Sequence, residues 1–170
     1  MKEKLYKAVF KLTIILFMTI CVTIHAVAQT TNYTGDWKVN LQLSDFGSQP
    51  TSYAPVEIKI NQSLTGIRLE RTVGIAPQVN ISVEQLQFGG SPTESTVSGR
   101  KKIGSVKWSE DKKSLIETAQ YSWTDPEGNE GNFKSTETYT LSEDNKTLVC
   151  IRNVVSTDVN FSIKAIYNKN

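Results

Sequence analysis

From Asn32 onward the chain alternates. Thr, Ser, Val, Ile and aromatic residues trade places with polar ones at almost every second position. No stretch of ten or more residues keeps a helical period with good helix formers. A period of two is the mark of a strand with one buried and one solvated face. Trp37, Val39, Leu41 and Leu43 share a face of the first predicted strand, and Val56, Ile58 and Ile60 a face of the second. Ile67, Leu69 and Arg71 share a face of the third, and Val79, Ile81 and Val83 a face of the fourth. A weaker strand covers 94–98, and five more are predicted at 101–108, 115–123, 133–141, 147–155 and 160–167.

The connections are mostly short and polar. "WSEDKKSL" (108–115) and "LSEDNKTL" (141–148) are near copies, 33 residues apart. Each reads as a tight hairpin, because Asp and Asn accept local backbone bonds and tolerate left-handed conformations. "NQSLTG" (61–66) and "VSGRKK" (97–102) read as further hairpins, and "TDPEGNEGNF" (124–133) as a Pro/Gly loop. The longest piece without a period, 44–55, reads as a lid or crossover. Hairpin-joined neighbours give an antiparallel up-and-down sheet, and closure removes its two exposed edges. The predicted fold is therefore all-β, a meander barrel of about eight to ten strands, whose interior is filled by side chains or holds one small ligand.

The first 28 residues carry a different pattern. Lys2, Lys4, Lys7 and Lys11 form a basic start, 12–24 is an apolar run, and Ala26-Val27-Ala28 ends it. This is the layout of a cleaved signal peptide, which predicts a single domain at 29–170 and a secreted or periplasmic location without a stable membrane anchor. The leader takes four lysines and one glutamate from the 19 basic and 17 acidic residues, leaving 15 and 16. The basicity of the whole chain thus gives no argument for a nucleic-acid partner. His25 and Cys21 also lie in the leader, so residues 29–170 contain no histidine and one cysteine, Cys150. That composition excludes a Ser-His-Asp triad, a Cys-His pair, a His-containing zinc site and an internal disulfide. Cys150, in the apolar run "TLVCIRNV", reads as a small buried hydrophobe.

The opening of the folded part, "YTGDWKVNLQLSDFG" (33–47), carries a Gly-x-Trp at Gly35 and Trp37. With the leader and the meander, it resembles the secreted bacterial lipocalin-like proteins of the calycin superfamily. The resemblance covers the first strand, the strand count and the length. It implies that Trp37 plugs the closed end of the barrel, that Gly35 lets the chain enter the strand tightly, and that Arg152, the only arginine of the last two strands, packs over the Trp. Thr34-Gly35-Asp36-Trp37 is also similar to the opening of biotin-binding barrels. Asn40 and Ser44, however, stand an odd number of residues from Trp37 and so on the opposite face.

Candidate chemistry is sparse. Asp125, Glu127, Asn129 and Glu130 offer oxygen ligands, but Glu130 occupies the place where a calcium loop needs glycine, so the segment reads as a solvated loop and no metal site is predicted. Arg100, Lys101 and Lys102 read either as charges keeping a rim soluble or as a collector for an anionic headgroup. Alternation puts Glu117, Tyr121 and Trp123 on one face, and Phe133, Glu137 and Tyr139 on another. With Arg71, these seven are the cavity candidates, since a pocket is mostly apolar with a few placed polar groups. Five N-x-S/T sequons begin at Asn32, Asn61, Asn80, Asn145 and Asn160, and matter only in a host that glycosylates secreted proteins. The expectation is a binding protein for a small, mostly apolar ligand, with no cofactor. The alternative is an interaction module that binds protein or polysaccharide through its loops and outer face. Catalysis ranks third, because the commonest general base is missing.

Overall fold

A computed structural model describes residues 31–75 and 77–170; the leader expected at 1–28 lies outside them. Ten antiparallel strands follow in order: β1 (Gly35–Val39), β2 (Glu57–Gln62), β3 (Gly66–Ile75), β4 (Gln78–Gln87), β5 (Thr93–Val97), β6 (Arg100–Trp108), β7 (Ser114–Thr124), β8 (Glu130–Leu141), β9 (Thr147–Val155) and β10 (Asn160–Lys169). One 3-10 turn, Thr51–Tyr53, interrupts the β1–β2 connection. The strands form one sheet in the order β4-β3-β2-β1-β10-β9-β8-β7-β6-β5. Consecutive strands are therefore neighbours everywhere except β4 and β5, and the pairing of β1 with β10 wraps the meander round. β4 and β5 are the two edges. Near them a single parallel bridge, Phe88 to Val106, joins the sheet ends, so the barrel is nearly closed.

The two copied hairpins are the same object twice. Ser109 Oγ donates to Asp111 at 2.6 Å and accepts from Ser114 N at 2.9 Å; Ser142 Oγ does the same with Asp144 (2.6 Å) and Thr147 N (3.0 Å). Lys112 and Asn145, at equivalent places, take the left-handed conformation with φ of 57° and 56°. The Ser98–Gly99 turn of the β5–β6 hairpin also has positive φ at both residues (50° and 75°), the two-residue geometry that matches strand twist.

One end of the barrel is packed solid. Tyr33, Trp37, Ile58, Ile60, Ile67, Leu69, Leu86, Leu115, Leu148 and Tyr167 are all buried there. The Trp37 indole donates to the Tyr33 carbonyl (3.1 Å), and the Tyr33 hydroxyl lies 2.7 Å from the Lys113 carbonyl and 2.8 Å from that of Tyr139. Burial pushes the Tyr33 phenol up to about 12. Trp37 is fully buried in this end, and the cation over its ring is Lys169, with Nζ 5.2 Å from the ring centroid, and not Arg152. Register explains the difference. Trp37 pairs with Lys169, whose N–H bonds the Lys146 carbonyl, so Arg152 stands six residues further along, roughly 20 Å at a strand's rise. A Cβ on Gly35 would lie 2.9 Å from Lys169 Cε, so the glycine makes room for that lysine.

Two further expectations fail for local reasons. Leu41 and Leu43 do not extend the face of Trp37; both are exposed, because β1 ends at Val39. Asn40 turns the chain, its carbonyl and side chain accepting from Leu43 N, while Ser44 donates to the Asn40 carbonyl and accepts from Ile166 N. On β4 the apolar face is the outer one: Val79, Ile81 and Val83 are exposed, and Glu84 and Leu86 are buried. A charged residue takes the inside there because the interior is ionic at that level.

Candidate functional site

Above the packed end, the inward positions of the strands change from aliphatic to charged. Arg71 (β3), Glu84 (β4), Lys102 (β6), Glu117 (β7) and Glu137 (β8) are all buried. A carboxylate or ammonium in such a place is costly unless paired and hydrogen-bonded. Here each is. The Arg71 guanidinium donates to Glu84 and Glu117, and reaches Glu137 at 3.4 Å and the Tyr139 hydroxyl at 3.1 Å. Lys102 Nζ lies 2.7 Å from the Glu84 carboxylate and also donates to Glu117. The Tyr139 hydroxyl donates a hydrogen bond to Glu137, and Ser95 Oγ donates to Glu84 at 3.1 Å. Arg152 stands at the edge of this cluster, its Nε 3.4 Å from Glu137 Oε1. Three cations and three carboxylates cancel.

The cluster also joins the barrel where backbone bonding is thinnest. Glu84 belongs to the β4 edge, while Ser95 and Lys102 come from β5 and β6 on the other side of the opening. Burial acts to raise the Glu137 carboxyl, but Arg71, Arg152 and Lys102 outweigh it and hold it at about 2. Glu84 moves the same way: burial raises it, and Arg71 and Lys102 overcome that and leave it low. Lys102 is held above its ordinary value, since Glu117 and the other anions outweigh its burial. Burial, and then Glu137, pushes the nearby Cys150 thiol up, so this cysteine is a packed, protonated side chain.

Over the cluster lies a cavity of about 510 Å³. Arg71, Glu84, Glu137 and Arg152 form its floor. Its walls are Tyr121, Trp123 and Phe133 on one side, and Tyr53 and Phe161 on the other, with Val154 between. Tyr121 stacks on Phe133 with centroids 4.4 Å apart, and Tyr53 on Phe161 at 5.2 Å. Trp123 packs against its cross-strand partner Gly131, where a Cβ would clash with the indole. Arg100 covers the other part of this aromatic wall, 4.8 Å from the Trp123 centroid.

Of the seven cavity candidates, Arg71, Tyr121, Trp123, Phe133 and Glu137 line this space, while Glu117 and Tyr139 sit beneath the floor, holding Arg71 and Glu137. Arg152, expected at the plug, is a floor residue that donates to the Tyr53 carbonyl (2.8 Å). The basic "SGRKK" run divides in three. Arg100 is at the mouth, Lys101 is exposed and paired with Glu94 (2.7 Å), and Lys102 is fully inside. Strand alternation carried the signal for Lys102, since Lys102, Gly104 and Val106 share a face, but three consecutive basic residues after a turn masked it. Glu84 was hidden because Val79, Ile81 and Val83 put it on the opposite face from the apolar run. The Asp125 carboxylate is taken up by its own loop, accepting from Asn129 N (2.8 Å) and Nδ2 (2.9 Å). No known family model matches the chain, and no curated protein matches it.

Proposed function

We propose that this chain is a secreted or periplasmic, lipocalin-like binding protein of the calycin type, holding one small molecule in the open end of its barrel. A single observation carries the reading: a cavity of about 510 Å³ stands over one end of a barrel whose other end is packed solid. Pockets of about 300–1,000 Å³ suit molecules of cofactor or drug size. Aromatic walls supply an apolar, flat environment, and the ionic floor supplies a few fixed polar groups, so the preferred ligand is amphipathic.

The test is titration with 1-aminoanthracene, a neutral aromatic fluorophore, against the wild type and two variants that fill the cavity from different strands, Val154→Phe and Ser82→Phe. Saturable binding with one site per chain, weakened in both folded variants, supports the cavity. No binding, or binding unchanged by either substitution, overturns it. A second reading draws on the exposed Val79, Ile81 and Val83 on the outer face of edge strand β4, a surface suited to a protein partner. It gains if the fluorophore binds but is indifferent to Val154→Phe and Ser82→Phe.

A further inference from the structure

Hydrogen-bonding capacity on the cavity floor is spent unevenly. Every carboxylate there has a donor. Glu84 is held by Arg71, Lys102 and Ser95, Glu117 by Arg71 and Lys102, and Glu137 by Arg71 and Tyr139, with Arg152 beside its second oxygen. The arginines are different. Among the described residues, the only hydrogen bond from Arg152 is to the Tyr53 carbonyl, although a guanidinium carries five N–H donors. Its Nε and that of Arg71 are buried without a hydrogen bond, the Arg152 Nε standing 3.4 Å from Glu137 Oε1 as an ion pair. The Arg152 side chain is 20% exposed, and its residue lines the cavity. A planar fork held in place by Glu137 and Tyr53, with most of its donors unspent, matches a carboxylate, which takes two parallel N–H bonds.

The surrounding charge permits this. The six-membered cluster is neutral as a whole, so it does not itself repel an anion. Arg100 adds a cation at the mouth, stacked on Trp123 and free of any ion pair among the described residues. Glu130 and Asp158 also line the mouth, but they are exposed, and salt screens them. The aromatic pairs above Arg152 define the rest of the ligand. We infer that the ligand is an aromatic or similarly flat apolar carboxylate, its carboxylate on Arg152 and its body between the Tyr53–Phe161 and Tyr121–Phe133 pairs. This rests on the cavity reading above.

Three probes of one shape separate the head from the body: 2-naphthoate, methyl 2-naphthoate and 2-naphthylmethylammonium, each measured by displacement of 1-aminoanthracene. The carboxylate binds at least about tenfold more tightly than the ester and the ammonium, the step expected for a charge-assisted two-bond contact. Arg152→Gln abolishes that preference while 1-aminoanthracene still binds, and Arg152→Lys, which keeps the charge but not the fork, retains part of it. Equal affinities for the three probes, or a preference that survives Arg152→Gln, overturn the carboxylate while the cavity reading stands. If 1-aminoanthracene and all three probes fail to bind the wild type, both fall together.

Discussion

Replacing Lys102 by methionine removes one charge from a set of six, five of them buried, and leaves its shape nearly intact. The wild-type cluster balances Arg71, Lys102 and Arg152 against Glu84, Glu117 and Glu137. After Lys102→Met, three carboxylates face two arginines, and Glu84 loses its tie to β6 across the barrel opening. Lys102 is 1% exposed, so water does not replace the lost partner. Breaking a buried pair by removing one member costs about 3–5 kcal/mol. With a urea slope of about 2 kcal/mol/M for a domain of this size, the unfolding midpoint falls by roughly 2 M. The double variant Lys102→Met with Glu117→Gln restores the balance, leaving two arginines with two carboxylates, and recovers most of the loss. Urea unfolding at pH 7, followed by circular dichroism and tryptophan fluorescence together, measures both. A cost below about 1 kcal/mol for the single variant means that the cluster is solvated. A double variant no more stable than the single one means that packing, not charge balance, sets the cost. Either result rules out an uncompensated buried charge as the source of the cost.

Trp37→Ala is expected to cost about 3–5 kcal/mol, the range for deleting a fully buried large aromatic; urea unfolding measures it, and 1-aminoanthracene affinity stays unchanged in the folded variant because the cavity is at the other end. Acid weakens the fold through Glu137 and Glu84. A carboxyl held at about 2 in the folded state and near 4.5 when unfolded contributes stability that is fully present above pH 4.5 and lost as the pH falls toward 2, on the order of 3 kcal/mol for Glu137. Urea midpoints between pH 2 and 6 check this, and a flat profile contradicts it. At the other extreme, Lys102, held above its ordinary 10.5, contributes stability that is present below that value and lost as the pH rises through the folded one.

Much of the fold is written locally. Alternation gave all ten strands, since each strand carries its own period, and the two Ser-Glu-Asp hairpins are closed by side chains within six residues of one another. Arg71, Glu117 and Glu137 could be placed inward because they share faces with apolar neighbours. What stayed hidden depends on partners far away in the chain. Glu84 is buried because Lys102 and Arg71 meet it, and Arg71 reaches Glu137 across 66 residues of sequence. Without those partners, Val79, Ile81 and Val83 look like the core face of β4, and Lys102 like a turn charge. Arg152 was misplaced because a family resemblance supplies a pairing but not the register that decides it. The floor of the cavity belongs to this class: four strands contribute to it, and no single stretch of sequence shows it.

The proposed function requires a small molecule in the open end of the barrel. Native mass spectrometry of the protein purified from its own host tests it most directly. The expected result is a discrete non-covalent adduct, one per chain, that is released on denaturation, carries a carboxylate, and is absent when Val154→Phe fills the cavity. A clean apo mass for the wild type, together with no binding of 1-aminoanthracene or 2-naphthoate, would contradict it.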